Sequence, residues 1–244
     1  LPTATISASG PLAFCEPNNV VLTASAGSSW LWSNGATTQA ITISSPAASG
    51  AYTVRVTNSN GCFATSSATT VTVSARPTVS LSAAPYTKLF PGLTTTLTGA
   101  VTPYGSYTYT WMNNGSILNG ATAATIPVTI NELGSYTLTA TNSGGCTNIS
   151  NAVVIGDSVT AKLFIMPNPN DGQFQVSYYS TANSSFTMNV VDARGAVVYS
   201  KFYSIGAPYQ RMDVDIRKHN AGIYTIVLVD KNGKRIVAGN VLIN

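Results

Sequence analysis

Residues 49–62 read SGAYTVRVTNSNGC and residues 133–146 read LGSYTLTATNSGGC. The two stretches align without a gap, with ten residues from tyrosine to cysteine in each (Tyr52 to Cys62, Tyr136 to Cys146). Inside the first, Tyr52, Val54 and Val56 share one face while Thr53, Arg55 and Thr57 share the other. That period of two is the pattern of a half-buried strand. The match extends outward: SSWLWSNG around Trp32 corresponds to TYTWMNNG around Trp111, which makes the two tryptophans matched core anchors. Earlier still, FCEPNNVVLTA corresponds to LFPGLTTTLTG, setting Cys15 opposite Phe90. Two copies follow, residues 1–75 and 76–155, each of a size that folds as an autonomous domain rather than as a solenoid unit. Strand patterns recur throughout with polar turns between them and no helical period, so the fold class is all-β.

Short alternating strands with an aromatic core anchor point to β-sandwiches. The repeats resemble the immunoglobulin-like and PKD-like modules of bacterial surface proteins. Gly50-Ala51-Tyr52 and Gly134-Ser135-Tyr136 resemble the tyrosine corner of that class. Two residues after each tyrosine, where antibody domains carry a cysteine, stand Val54 and Leu138, so the inter-sheet disulfide of those domains is absent.

The remaining third contains three turn signals in order. Pro167-Asn168-Pro169-Asn170-Asp171-Gly172 combines fixed φ, side chains that bond their own backbone, and a glycine that accepts positive φ. Asp192-Ala193-Arg194-Gly195 separates two apolar alternating runs as a hairpin, and Asn232-Gly233 separates two more. Gly222-Ile223-Tyr224 opens a strand in which Tyr224, Ile226 and Leu228 share a face. This order, Pro-Asn-Pro-x-x-Gly, then Asp-x-x-Gly, then Gly-x-Tyr, resembles the type A C-terminal sorting domain of the type IX secretion system of Gram-negative Bacteroidota. The expected architecture is three tandem β-sandwiches: residues 1–75, 76–155 and 162–244, with 156–161 as linker.

Composition bounds the partners. Before Asp157 the only charges are Arg55, Arg76, Lys88, Glu16 and Glu132; the rest of the net +4 comes from the tail. The pI near 9.0 raises nucleic acid as a partner, but the basic residues are scattered over hairpins with no stripe, which argues against it. No run of 18 apolar residues suggests a membrane span. The sequence starts at Leu1 without a signal peptide, which reads as a mature chain or a C-terminal fragment; a fragment or processed chain is expected, because export needs an entry signal.

Cys15 and Cys62 bracket the first repeat, and their pairing is expected, closing a loop that the chain-entropy model values at about 4 kcal/mol. An oxidising destination fits such a bond. Cys146 is then left with Phe90 where its partner would be, either as a relic thiol or as a link to another chain.

Candidate chemistry is sparse. His219 is the only histidine, so a Ser-His-Asp or Cys-His arrangement would have to use it. There is no Cys/His cluster of metal spacing and no phosphate loop. Asp213 and Asp215 share a strand face, as a cation seat or a glycosidase pair would, though such pairs are more often an exposed polar face. Asp157-Ser158-Val159 resembles a bacterial O-glycosylation sequon at Ser158. The expectation is a non-enzymatic protein with no cofactor. By the resemblance, an outer-membrane shuttle barrel and translocon recognise the tail, and a sortase-like peptidase cuts it near Ile155 to Ala161 and joins the remainder to lipopolysaccharide. Two rival readings are an adhesin or glycan-binding module using Tyr86, Tyr104 or Tyr107, and a homo-oligomeric filament joined through Cys146 or open strand edges.

Overall fold

A computed structural model describes all residues from Leu1 to Asn244. The fold is all-β, with no α-helix and only two 3-10 turns, Pro46–Ala48 and Ile130–Glu132. The alternation in the sequence explains the strands. Val20–Ala24 buries Val20, Leu22 and Ala24, and Val54–Thr57 buries Val54 and Val56, leaving Arg55 outside.

The first repeat is a two-layer sandwich. Val20–Ala24 lies between Ile6–Ala8 and Ala40–Ile43 in one sheet. The other layer is built on one strand that bends at Thr53. Its first half, Gly50–Tyr52, pairs with Thr69–Ser74, and its second half, Val54–Thr57, pairs with Ser29–Trp32. Ala13–Cys15 joins the edge of this layer in parallel with Thr72–Ser74. Trp32 sits in the core among Val20, Leu22, Val54, Val56 and Val71, and its indole N–H donates to Thr38 O at 2.8 Å.

The second repeat follows the same plan. Trp111 is fully buried and its indole donates to Ala123 O, also at 2.8 Å. Lys88–Leu89 runs parallel to Gly156–Asp157, as Phe14 does to Val73. In this register Leu89 is the counterpart of Phe14, which makes Phe90 the structural counterpart of Cys15.

The C-terminal sandwich packs the sheet Phe164–Met166, Gln173–Ser177, Met212–Asp215 against the sheet Val197–Ser204, Ser185–Val191, Gly222–Val229, Arg235–Ile243. Its core includes Phe174, Phe186, Met188, Ile226, Leu228 and Val241.

Close packing divides the chain into two compact units. One is Leu1–Leu81 with Gly99–Ala124 and Thr137–Ala152; the other is Ser82–Thr98 with Thr125–Tyr136 and Val153–Asn244. The segment read as a linker, 156–161, starts inside a strand, because Gly156 and Asp157 end the strand Val153–Asp157 and pair with Lys88 and Leu89. Ser158 N then donates to Leu89 O at 2.7 Å.

The cysteine pairing differs from the expectation. Cys15 is bonded to Cys146, with Cα atoms 5.6 Å apart, and Cys62 is a free, exposed thiol. Strand topology supplies the reason. Cys15 pairs with Ser74, three residues beyond Val71, the partner of Gly50. The Cys62 hairpin follows Thr57, seven residues beyond Gly50 in the opposite direction. At ~3.3 Å per strand residue the two cysteines lie at opposite poles, roughly 30 Å apart, far outside bonding range. Cys146 occupies the near pole of the second repeat, beside the linker between the repeats: its Sγ lies 3.6 Å from Ser74 O, and Asn142 Nδ2 donates to Ala75 O at 2.9 Å.

Candidate functional site: the C-terminal clasp

The Pro167–Gly172 turn is fastened to the end of the chain. The Asn168 side chain acts as a strand partner, donating from Nδ2 to Asn240 O at 3.0 Å and accepting from Leu242 N at 2.9 Å. The backbone continues the pairing: Asn170 N donates to Leu242 O at 3.1 Å, and Asn244 N donates to Asn170 O at 2.9 Å. Asn170 is buried, with Nδ2 on Pro167 O at 2.9 Å and Oδ1 accepting from Gly172 N at 2.7 Å. The outer edge of the closing strand is therefore covered at its end by this turn, while its inner edge pairs Tyr224 with Val241 and Gly222 with Ile243.

Gly172 must be glycine on two counts. Its φ is +99°, and a Cβ would stand 2.9 Å from the backbone N and Cα of Arg217. Its carbonyl accepts from Ile216 N at 2.8 Å, tying the turn to the next strand.

Asp192 and Gly195 close a hairpin of a design used four times in the chain. Asp192 Oδ1 accepts from Arg194 N and Ala196 N, both at 2.9 Å. Asp230 does the same with Asn232 N and Lys234 N, Asn58 with Asn60 N and Cys62 N, and Asn142 with Gly144 N and Cys146 N. Each turn ends on a positive-φ glycine: Gly61, Gly145, Gly195 or Gly233. The accepted N–H groups, that of Ala196 foremost, hold the Asp192 carboxyl below its ordinary range.

The Gly222–Tyr224 motif is a tyrosine corner. Tyr224 Oη donates to Asn220 O at 2.6 Å, four residues back, as Tyr52 does to Ala48 O at 2.5 Å and Tyr136 to Glu132 O. Burial, with the charge of Glu132 adding to it, pushes the Tyr136 phenol up to about 12. Sequence reasoning identified two of these corners and missed the third, although Gly-x-Tyr stands in all three domains.

The candidate chemical residues are engaged structurally. Asp213 and Asp215 are exposed, and each is paired with its own arginine, Arg211 at 3.2 Å and Arg217 at 2.7 Å. The Arg217 side chain holds the Asp215 carboxyl well below the usual carboxylate range. Two separately neutralised carboxylates do not form an acid/base pair. His219 sits in the turn before Tyr224, its backbone N–H donating to Ile216 O at 2.9 Å and its side chain exposed. No cluster of three His, Cys, Asp or Glu side chains is arranged to hold a metal, and no helix is long and apolar enough to cross a membrane. Ser158 lies at the seam with the second repeat, its carbonyl accepting from Tyr209 Oη at 2.6 Å. Next to it Phe164 stacks on Phe90, ring centroids 5.4 Å apart, and meets Tyr209 edge-on at 5.7 Å.

The sequence profile of a known domain covers this region. Residues 164–240 match the secretion system C-terminal sorting domain. The clasp, the Asp192 hairpin and the Tyr224 corner all fall in or against this sorting domain, and the final Val241–Asn244 lies just past the matched stretch. No curated protein sequence matches the chain. Among solved structures, murine CEACAM1b is 18% identical, covering 63% of this chain and 98% of its own, at TM-score 0.39. The titin domains I67–I69, in an E-to-A variant, are 12% identical over 100% of this chain and 99% of theirs, at TM-score 0.34. Three N-terminal domains of the bacteriophage RB49 outer capsid protein Hoc are 10% identical over 98% and 96%, at TM-score 0.32. The sandwiches themselves are read from this chain's own sheets.

Proposed function

We propose that this chain is a non-catalytic surface segment. Two immunoglobulin-like sandwiches serve as stalk or spacer, and the sorting domain directs export and surface anchoring through the type IX secretion system. The observation that carries the reading is the match at residues 164–240, within which the Pro167–Gly172 turn and the Gly222–Tyr224 strand both pair with the closing strand. The proposed partners are the outer-membrane shuttle barrel and translocon, followed by a sortase-like peptidase and a lipopolysaccharide anchor. Paired backbone through Ser158 narrows the proposed cut to Val159–Ala161, before the Phe164 strand, where the backbone is free of strand pairing. Ser158 stays a candidate glycan acceptor at that seam.

The adhesin reading retains two exposed loop aromatics, Tyr86 and Tyr104, while the Tyr107 hydroxyl is engaged with Pro103 O. The filament reading loses Cys146 as a link, because that cysteine is already bonded, and rests on open strand edges.

The test is surface display of the full chain behind a periplasmic signal peptide, in hosts with and without the secretion system. Deleting Val241–Asn244 removes Leu242, one of the two partners of the Asn168 side chain, and both strand partners of the Asn170 backbone, and it unpairs Gly222–Tyr224. We expect display of the intact chain only in the competent host and periplasmic retention of the truncated one. Equal display of both, or display in the deficient host, contradicts the reading.

A further inference from the structure

Cys62 and Cys146 occupy one position in one structure. Each follows the positive-φ glycine of an Asn-x-x-Gly hairpin, and each has its backbone N–H held by the hairpin asparagine, Asn58 Oδ1 at 3.0 Å or Asn142 Oδ1 at 2.9 Å. The hairpins are equivalent in the framework behind them as well. Ser66 Oγ accepts from Val54 N at 3.1 Å, and Ser150 Oγ accepts from Leu138 N at 3.0 Å. The chain thus contains its own comparison, and in it the second cysteine is bonded. Cys146 takes Cys15 from the far end of the preceding sandwich, while Asn142 Nδ2 caps the linker carbonyl of Ala75. At the first repeat's own near pole the cysteine is exposed and reduced, and Asn58 offers the same amide.

We propose that Cys62 is the receiving half of a second inter-repeat disulfide. Its partner is a cysteine at the end of the parallel edge strand, the Cys15 position, of another immunoglobulin-like repeat docked against the near pole of repeat one. A second copy of this chain does not qualify, because its Cys15 is already bonded to its Cys146. The partner repeat must carry an unbonded cysteine at that position, on the same polypeptide or on another. The reaction joins two thiols through an S–S bond and releases two protons and two electrons. A dithiol-disulfide oxidant of the exporting compartment takes up the electrons, its own disulfide becoming two thiols. The Cys15–Cys146 bond calls for the same oxidising compartment, so the inference stands whether or not the sorting reading holds.

The experiment is disulfide mapping of the protein recovered unreduced from the cells that make it, with free thiols blocked before lysis. We expect Cys62 to resist the blocking reagent until reduction. Its peptide should be joined to one whose cysteine ends the edge strand of an immunoglobulin-like repeat. A partner on the same polypeptide leaves the chain's mass on non-reducing gels unchanged, whereas a partner on another gives an adduct that reduction dissolves. In a C62S variant the linked peptide should disappear while Cys15–Cys146 persists. Recovery of Cys62 as a free thiol beside an intact Cys15–Cys146 bond overturns the proposal. So does a Cys62–Cys62 dimer, or a mixed disulfide with a low-mass thiol only.

Discussion

The edge-strand position after the first sheet crossing is used twice, with opposite chemistry. In repeat one it is Cys15, bonded covalently to Cys146 of repeat two. In repeat two it is Phe90, stacked at 5.4 Å on Phe164 of the sorting domain. A disulfide persists until it is reduced, whereas an aromatic stack of this kind contributes roughly 0.5–1.5 kcal/mol beyond its buried area. The contrast suits the proposed function, in which the two repeats stay together after export and the sorting domain is cut away.

The largest expected effect tests the covalent side. With 131 residues between its ends, the bond is worth about 5 kcal/mol in the chain-entropy model. That figure is an upper bound where the repeats unfold one at a time. A C15S variant, or reduction of the native protein, should lower the melting temperatures of both repeats and leave the sorting domain's transition in place. A shift confined to repeat one would break the comparison.

Within the sorting domain, Gly172→Ala places a Cβ against the Arg217 backbone at positive φ. The clash and the strained φ together should cost roughly 2–4 kcal/mol, read as a lowered denaturation midpoint for that domain alone. Next in size, Tyr224→Phe removes the corner hydrogen bond to Asn220 O. The expected loss is about 1 kcal/mol, and Tyr52→Phe should show a similar loss in repeat one. A neutral result at Tyr224 with a loss at Tyr52 would mean that the three corners are not equivalent. Phe90→Ala should leave the repeats' stability nearly unchanged and speed proteolysis at Val159–Ala161, sharpening the separable side of the comparison.

The smallest effect is a pH dependence. The Asp192 carboxyl is held below its ordinary range by the Ala196 and Arg194 N–H groups. Its contribution is therefore complete above the unfolded carboxyl pKa, near 4, and is lost as pH falls through the lower folded value. Asp192→Asn should keep the hairpin, because Asn58 and Asn142 serve the same turn, and should remove that acid sensitivity in thermal melts below pH 4.

Sequence pattern exposed what local chemistry determines. Strand alternation, the Trp32 and Trp111 anchors and the turn residues of the tail were legible because each depends on a few neighbouring residues. The disulfide was misread because pairing depends on which pole of a sandwich a hairpin occupies, and strand direction sets that over roughly 30 Å. The Asn168 clasp was invisible for a related reason: its partners Asn240 and Leu242 stand more than seventy residues away. The third tyrosine corner was readable, since Gly222-Ile223-Tyr224 repeats the spacing of Gly50–Tyr52 and Gly134–Tyr136.

The measurement that reaches the central claim most directly is the intact mass, unreduced and reduced, of the chain released from the surface of a type IX-competent cell. The account predicts a form ending within Val159–Ala161, apart from any anchor mass, with Cys15–Cys146 still bonded. Recovery only of protein retaining the sorting domain through Asn244 would contradict a separable sorting tail.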